Sequence, residues 1–304
     1  MEGLEATLSE QGNTVVPEKL PKRVYLDDKT YNIVDIKQGG MGRVWLLENA
    51  FPDSYNPIHK RRVAVKTFDF TPQHFAIEQE LNSWVTLDHK NILPLLRIGR
   101  LNYRLAAIMP WLQGTLQDEL QPHTTFPEKL VVSIALQVAE ALRYSYERYQ
   151  LVHLDLKPAN VLIAARNPLS IQISDWGISR IASQIARSRW SGSESENQYT
   201  AYGAGTLLYM SPERFTGNWK IAPQADMYAL GIMIVQLITG ALPFRLEERN
   251  PHVEIVYGSY MENVNQMLHI SSKKFERTIY SCIHPDVAMR PKTYSSLISE
   301  LKRC

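Results

Sequence analysis

The chain has 304 residues, with 33 Lys and Arg against 31 Asp and Glu, for a formal net charge of +2. So near neutrality, the composition gives no electrostatic case for nucleic acid or for an anionic membrane surface. With 44% hydrophobic and 21% charged residues it is ordinary for a water-soluble globular protein able to bury a substantial core.

The two cysteines, Cys282 in an apolar stretch and the terminal Cys304, argue against a structural disulfide and fit a reducing compartment. Met1-Glu2-Gly3-Leu4-Glu5 is acidic and lacks the basic and then apolar pattern of a signal peptide. The longest apolar stretch, residues 230–242, is interrupted by Gln236, Thr239 and Gly240 and is too short for a membrane span. The expectation is a soluble cytoplasmic protein without a membrane span.

In chain order, residues 1–24 are polar, carry Pro17 and Pro21, and show no sustained periodicity, which reads as a flexible tail. Residues 31–36, 43–47 and 62–68 are short runs rich in β-branched and aromatic side chains, the pattern of strands. Residues 48–59, with Pro52, Asp53, Asn56 and Pro57, read as a connection between two antiparallel strands, and Lys60-Arg61-Arg62 as a solvated strand entrance. A helix is expected over 73–87, then strand-like segments over 93–99 and 103–109. Pro127 opens a long amphipathic helix with Leu130, Ile134, Val138, Ala141 and Leu142 on one face. A second helix is expected over 224–238, with shorter ones to Leu301. A strand-rich first third followed by a helix-rich remainder implies an α+β protein of two lobes. Residues 188–196 are polar and serine-rich and read as an exposed loop.

Several short segments carry chemistry. In Ile36-Lys37-Gln38-Gly39-Gly40-Met41-Gly42-Arg43-Val44, glycines between two strands would let a hairpin backbone approach a polyphosphate, because no β-carbon intervenes; taken alone, such a segment is more often a plain turn. Val63-Ala64-Val65-Lys66 ends an apolar strand on a lysine, a group rarely buried without a partner, and the following helix offers Glu80; in isolation the segment reads rather as an exposed lysine at a strand end. His153-Leu154-Asp155-Leu156-Lys157-Pro158-Ala159-Asn160 packs an acid, a lysine and an asparagine between apolar runs, which is costly unless each finds a ligand or partner. Ile173-Ser174-Asp175-Trp176-Gly177 adds a carboxylate after a strand. Asn160 and Asp175 are hard oxygen donors of the kind magnesium takes when phosphates complete its octahedron.

In this order and at these spacings the segments resemble the protein-kinase signature: glycine-rich loop, strand lysine, helix glutamate, catalytic loop, Asp-x-Gly, then Pro212-Glu213 closing an activation segment. The resemblance covers about residues 25–303, and the Gly-Gly-Met-Gly loop is similar to that of bacterial Ser/Thr kinases. It implies a bilobal fold, with a small antiparallel β-sheet lobe carrying one main helix over 25–111 and a larger, mainly helical lobe over 112–304.

The resemblance also implies roles, with ATP and Mg2+ as the bound groups and a protein Ser or Thr hydroxyl as acceptor. Lys66 would hold the α- and β-phosphates and pair with Glu80, chosen over Glu78 because Leu87-Asp88-His89-Lys90-Asn91-Ile92 sets the register. Asp155 would be the catalytic base and Lys157 would stabilise the migrating phosphoryl group. Asn160 and Asp175 would hold the metal. Thr206 would bond near Asp155. The nucleotide would lie between Ile36, Gly39, Gly40, Met41, Gly42, Val44 and Ala64 on one side and the hinge residues Met109, Trp111 and Leu112. Glu213 would pair with Arg290, and Asp226 would bond to the backbone of the catalytic loop.

Departures from the pattern are Lys37 for the first loop glycine, Leu154 for the arginine before the catalytic aspartate, Trp176 after the metal-binding aspartate, and Ser211 for alanine. The arginine absent at 154 is the one that docks a phosphorylated activation segment, so activation by that route is not expected. Ser188, Ser191, Ser193 and Ser195 remain candidate autophosphorylation sites. A pseudokinase scaffold that binds nucleotide or a partner without turnover is the alternative, but neither Lys37 nor Leu154 removes a phosphate, metal or base group.

Overall fold

A computed structural model of the chain describes residues 22–39, 42–50, 62–68, 74–121, 124–176, 207–215, 223–244 and 251–304. The tail to residue 21, Gly40, Met41, residues 51–61, the serine-rich segment and Thr206 lie outside the described residues.

Six strands form the first lobe: β1 (Arg23–Leu26), β2 (Lys29–Gly39), β3 (Gly42–Asn49), β4 (Arg62–Phe68), β5 (Arg97–Leu101) and β6 (Arg104–Pro110). All their pairings are antiparallel, in the order β1-β2-β3-β4-β6-β5, and the pair Leu26↔Leu101 closes the sheet into a barrel. Successive side chains of a strand face opposite ways. On β3, Trp45 and Leu47 therefore join Val24, Leu26, Tyr31, Val63 and Val65 in a cluster inside the barrel. Val44 and Leu46 face the other way, against the main core.

Helix α1 (His74–Val85) buries Ile77, Leu81 and Trp84, spaced four and three residues apart on one face. After it the chain departs from expectation. Residues 93–96 are not strand; Leu93 N–H instead donates to Ile173 O at 2.9 Å, and Ile173 N–H to Asn91 O at 2.9 Å. A backbone bonded toward the second lobe cannot at the same time extend β5.

The second lobe contains α2 (Leu116–Glu119), α3 (Glu128–Tyr149), the hairpin β7 (Val161–Arg166) and β8 (Leu169–Ile173), α4 (Pro212–Phe215), α5 (Pro223–Thr239), α6 (Pro251–Tyr257), α7 (Tyr260–Met267), α8 (Lys273–Cys282) and α9 (Tyr294–Leu301). α3 presents Val131, Ile134, Ala135, Val138 and Leu142 to the core. α5 is apolar nearly all round and is buried nearly all round, as a central helix must be. Cys282 is buried, Cys304 is exposed, and both are free thiols. Among the described residues no helix is long and apolar enough to cross a membrane.

Candidate active site

Between the lobes lies a cleft of about 640 Å³, within the size range of small-molecule sites. The sheet supplies Gly42, Val44, Ala64 and Lys66 to its lining, the hinge Met109, Trp111 and Leu112, and the second lobe Asp155, Lys157, Asn160 and Asp175. The structure thus brings together most of the residues singled out above from segments up to 133 positions apart in sequence.

The backbone of residues 153–155 is held from beneath. Asp226, fully buried at the start of α5, accepts the N–H of His153 (2.8 Å, Oδ2) and of Leu154 (2.7 Å, Oδ1). Burial pushes its carboxyl above the ordinary value, while His153, the two backbone donors and the Tyr294 hydroxyl pull the other way. His153 Nε2 lies 2.7 Å from Ser174 O, an oxygen that can only accept, so Nε2 carries the proton. Nδ1 is then free to accept the N–H of Asp155 at 3.2 Å. The imidazole sits edge-on to Trp176, ring centroids 4.8 Å apart. The indole N–H groups of the buried Trp176 and Trp84 donate to Ile173 O (2.9 Å) and Leu93 O (2.8 Å), so both large rings are buried without an orphaned donor.

At the cleft floor Lys157 Nζ bonds both oxygens of Asp155, at 3.0 and 2.9 Å. Asn160 Nδ2 bonds Asp155 O at 2.7 Å and Oδ2 at 2.9 Å. Those two bonds occupy the nitrogen end of the Asn160 amide and leave its oxygen end for a cation. Asp175, with a left-handed φ of 65°, places Oδ2 2.8 Å from Lys66 Nζ. Burial alone would raise the Asp175 carboxyl, but the Lys66 charge and hydrogen bond, aided by Lys157, hold it below its ordinary value. One amide oxygen and one ionised carboxylate suit magnesium, which takes one or two protein ligands and completes its shell with phosphates and water. Among the described residues no three His, Cys, Asp or Glu side chains gather as a closed metal cage.

Two placements differ from the sequence reading. Lys66 pairs with Asp175 rather than with Glu80, which is half-buried on α1 while Glu78 is exposed. Ile36 does not line the cleft: it pairs with Trp45 in the β2–β3 register and packs with it on the barrel interior. Asp35 and Lys37, opposite Leu46 and Val44, face the cleft in its place. Gly39 ends β2 opposite Gly42. Gly42 has φ 142° and a β-carbon there would meet Thr67 O at 1.9 Å, so this position admits glycine alone.

Other residues line the cleft beyond the nucleotide contacts expected above, Lys37 among them, which the sequence marks only as a departure from the glycine pattern. Lys37, on β2, lies 3.9 Å from Asp118 of α2, an ion pair that spans the mouth of the cleft from one lobe to the other. The Arg62 guanidinium lies 5.2 Å above the Trp111 ring at the hinge. Period-two alternation counted from Val44 could have found Lys37 and Asp35; no signal in the sequence locates Asp118. The expected Glu213–Arg290 pair is present as a two-pronged bond of 2.9 and 3.0 Å, with Arg290 fully buried.

Residues 38–301 match the protein kinase domain. The chain belongs to the protein kinase family. It is 29% identical over 212 residues to the serine/threonine-protein kinase PrkC of Bacillus subtilis, covering 68% of this chain and 30% of that one. To the serine/threonine-protein kinase PknF of Mycobacterium tuberculosis it is 32% identical over 226 residues, covering 71% of this chain and 44% of that one. The chain therefore spans less than half the length of these relatives. In fold it is similar to the crystal structure of Rad53 1-466 in complex with AMP-PNP, with a TM-score of 0.68 over 91% of this chain and 64% of that one, at 22% identity.

Proposed function

We propose that the chain is a Ser/Thr protein kinase that transfers the γ-phosphoryl group of Mg-ATP to a protein hydroxyl. The observation that carries this reading is the convergence of Asp155, Lys157, Asn160, Asp175 and Lys66 on one cleft between the lobes. Phosphoryl transfer asks little covalent chemistry of a protein; it asks for positioning and for charge where charge develops.

Asp155 orients the acceptor hydroxyl and takes its proton, and Lys157, now bonded to both Asp155 oxygens, meets the negative charge of the migrating group. Thr206 is assigned a bond near Asp155. Lys66, bonded here to Asp175, binds the α- and β-phosphates and pairs with Glu80 on α1. Asn160 and Asp175 hold magnesium, which when bound neutralises charge on the phosphates. Val44, Ala64, Met109, Trp111 and Leu112 form the adenine slot, and the glycines from 39 to 42, with Met41, cover the phosphates. Leu154 in place of arginine makes activity independent of a phosphate docked at that position.

The test is transfer of labelled γ-phosphate from Mg-ATP to the protein itself and to a generic basic protein, with phosphoamino-acid analysis. Label is expected on serine or threonine, lost in Asp175→Ala and reduced about 10²- to 10⁴-fold in Asp155→Asn. A folded wild-type protein that binds Mg-ATP yet transfers nothing would refute catalysis and favour a scaffold.

A further inference from the structure

Leu154 is the residue that departs from the family pattern next to the catalytic aspartate, and the structure treats it unusually. Its φ of 63° is left-handed, a conformation that a residue with a branched side chain occupies only when its surroundings over-determine it. Three things hold it. Its side chain, 8% exposed, packs with Val152 and Ala225 and against Tyr146. Its N–H is taken by Asp226 Oδ1 at 2.7 Å. Its carbonyl accepts a hydrogen bond from Arg214 Nη1 at 2.7 Å. Arg214 lies on α4, directly after Pro212-Glu213, and is itself only 7% exposed. Leu154, Asp155, Arg214 and Asp226 also border a small cavity of about 10 Å³.

A guanidinium is costly to bury, and charge-assisted bonds to it are the strong ones. Arg214 spends one of them on the carbonyl immediately preceding Asp155. That carbonyl belongs to the peptide whose orientation sets the direction of the Asp155 side chain. The lever is short: the anchored oxygen belongs to the peptide group joined directly to Asp155, with no residue between.

We propose that Arg214 is a positioning residue for Asp155, and that it joins the end of the activation segment to the catalytic loop without a phosphate. The polarity of the connection is reversed relative to the family pattern. There the arginine stands on the catalytic loop and the segment brings a phosphate; here the arginine stands at the end of the segment and the loop presents a backbone carbonyl. An Arg-to-carbonyl bond needs no modification to form, so the tether is present as soon as the chain folds. The proposal rests on the kinase reading given above and specifies how its active loop is held.

The test uses the full chain in three arms. Arg214→Met keeps the length and apolar stem but removes every donor; Arg214→Lys keeps the charge and a single rotatable donor group. For both, kcat and the KM for Mg-ATP are measured alongside thermal stability. The expected result is a fall in kcat of about 10-fold or more in Arg214→Met, with KM for Mg-ATP within about 2-fold, and partial recovery of kcat in Arg214→Lys. A merely structural role would lower the active fraction and leave the kcat per folded site unchanged. Because Arg214→Met can fail to fold, the second arm is phosphatase treatment of the wild type, which should leave kcat intact; loss of activity on dephosphorylation overturns the phosphate-free tether. The third arm is amide hydrogen exchange over residues 151–160, expected to quicken in Arg214→Lys whether or not the protein turns over. Wild-type kcat in a folded Arg214→Met, or unchanged exchange in Arg214→Lys, overturns the proposal. An inactive wild type whose exchange still quickens in Arg214→Lys instead overturns the kinase reading and leaves the tether standing.

Discussion

Replacing Arg290 by leucine should unsettle the second lobe more than any surface substitution can. Its guanidinium is wholly buried and uses all of its N–H groups. Nε donates to His284 O (2.7 Å); Nη1 donates to Glu213 Oε1 (2.9 Å) and Gln224 O (3.1 Å); Nη2 donates to Glu213 Oε2 (3.0 Å) and Pro285 O (3.2 Å). It also lies 4.9 Å from the Tyr228 ring centroid. Leucine leaves the Glu213 carboxylate, 14% exposed, without its guanidinium partner, along with three carbonyls. Removing one partner of a buried pair costs about 3–5 kcal/mol. At about 2 °C of melting temperature per kcal/mol for a chain of this size, a loss near 4 kcal/mol lowers the midpoint by roughly 8 °C. Arg290→Lys, with three donors and no planar fork, should fall by about half as much. The assay is thermal unfolding followed by circular dichroism, with Glu213→Gln and the double variant closing a cycle. A drop below about 2 °C in Arg290→Leu, or strict additivity with Glu213→Gln, refutes the reasoning.

The Lys66–Asp175 pair makes a pH prediction. Because the folded Asp175 carboxyl sits below its ordinary value, its contribution to stability is full above the ordinary value, about 3.9, and is lost as pH falls through the lower folded value. In Lys66→Met the strongest opposing influence is gone, and burial, the largest of all, works against only the weaker pull of Lys157 and His153, so ionisation of the carboxyl becomes less favourable. The gap in melting temperature between wild type and Lys66→Met should therefore widen from pH 3 to pH 6; a gap that narrows contradicts this. Gly42→Ala forces a β-carbon against Thr67 O and should weaken Mg-ATP binding by about 10-fold or more, read by calorimetry. Asp226→Asn gives up one acceptor oxygen of the two that hold His153 and Leu154, and should cost about 1–3 kcal/mol together with kcat; unchanged turnover would show that Asp226 does not position the loop. Disrupting the exposed Lys37–Asp118 pair with Asp118→Asn should change melting temperature by under about 2 °C, since such pairs contribute about 0–1 kcal/mol, while altering the salt dependence of the nucleotide on-rate.

What could be read from the sequence was what depends on local pattern. Polar groups set inside apolar runs announced Asp155, Lys157, Asn160 and Asp175, because such placement is unfavourable without a purpose. The strands between 29 and 68 followed from runs of β-branched and aromatic residues, and the long helix after Pro127 from a periodicity of 3.6. What could not be read depends on register and on contacts distant in sequence. Ile36 looked like a cleft residue until its pairing with Trp45 placed it inside the barrel. Lys66 looked destined for Glu80, but the choice between two carboxylates is settled only when the lobes meet. Arg214 carried no signal at all; its partner is a backbone oxygen 60 positions away, and a carbonyl leaves no trace in a sequence.

The run from Asn91 to Leu93 has a mechanical meaning. Besides its two backbone bonds with Ile173, it is pinned through Asn91 Nδ2 to Gln137 Oε1 and Ile171 O, each at 2.9 Å. The end of α1 is thus moored to the lower lobe, with Tyr149 and Tyr144 hydroxyls reaching up to Thr86 O and to the Asp88 N–H. The chain passes between the lobes a second time at the hinge around Trp111. Two crossings, one of them bolted by hydrogen bonds, leave a single easy rotation about the line that joins them. A cleft that opened by this rotation would do so as a swing of the barrel about that axle, against which the C-terminal end of α1 is held by its bonds to the lower lobe.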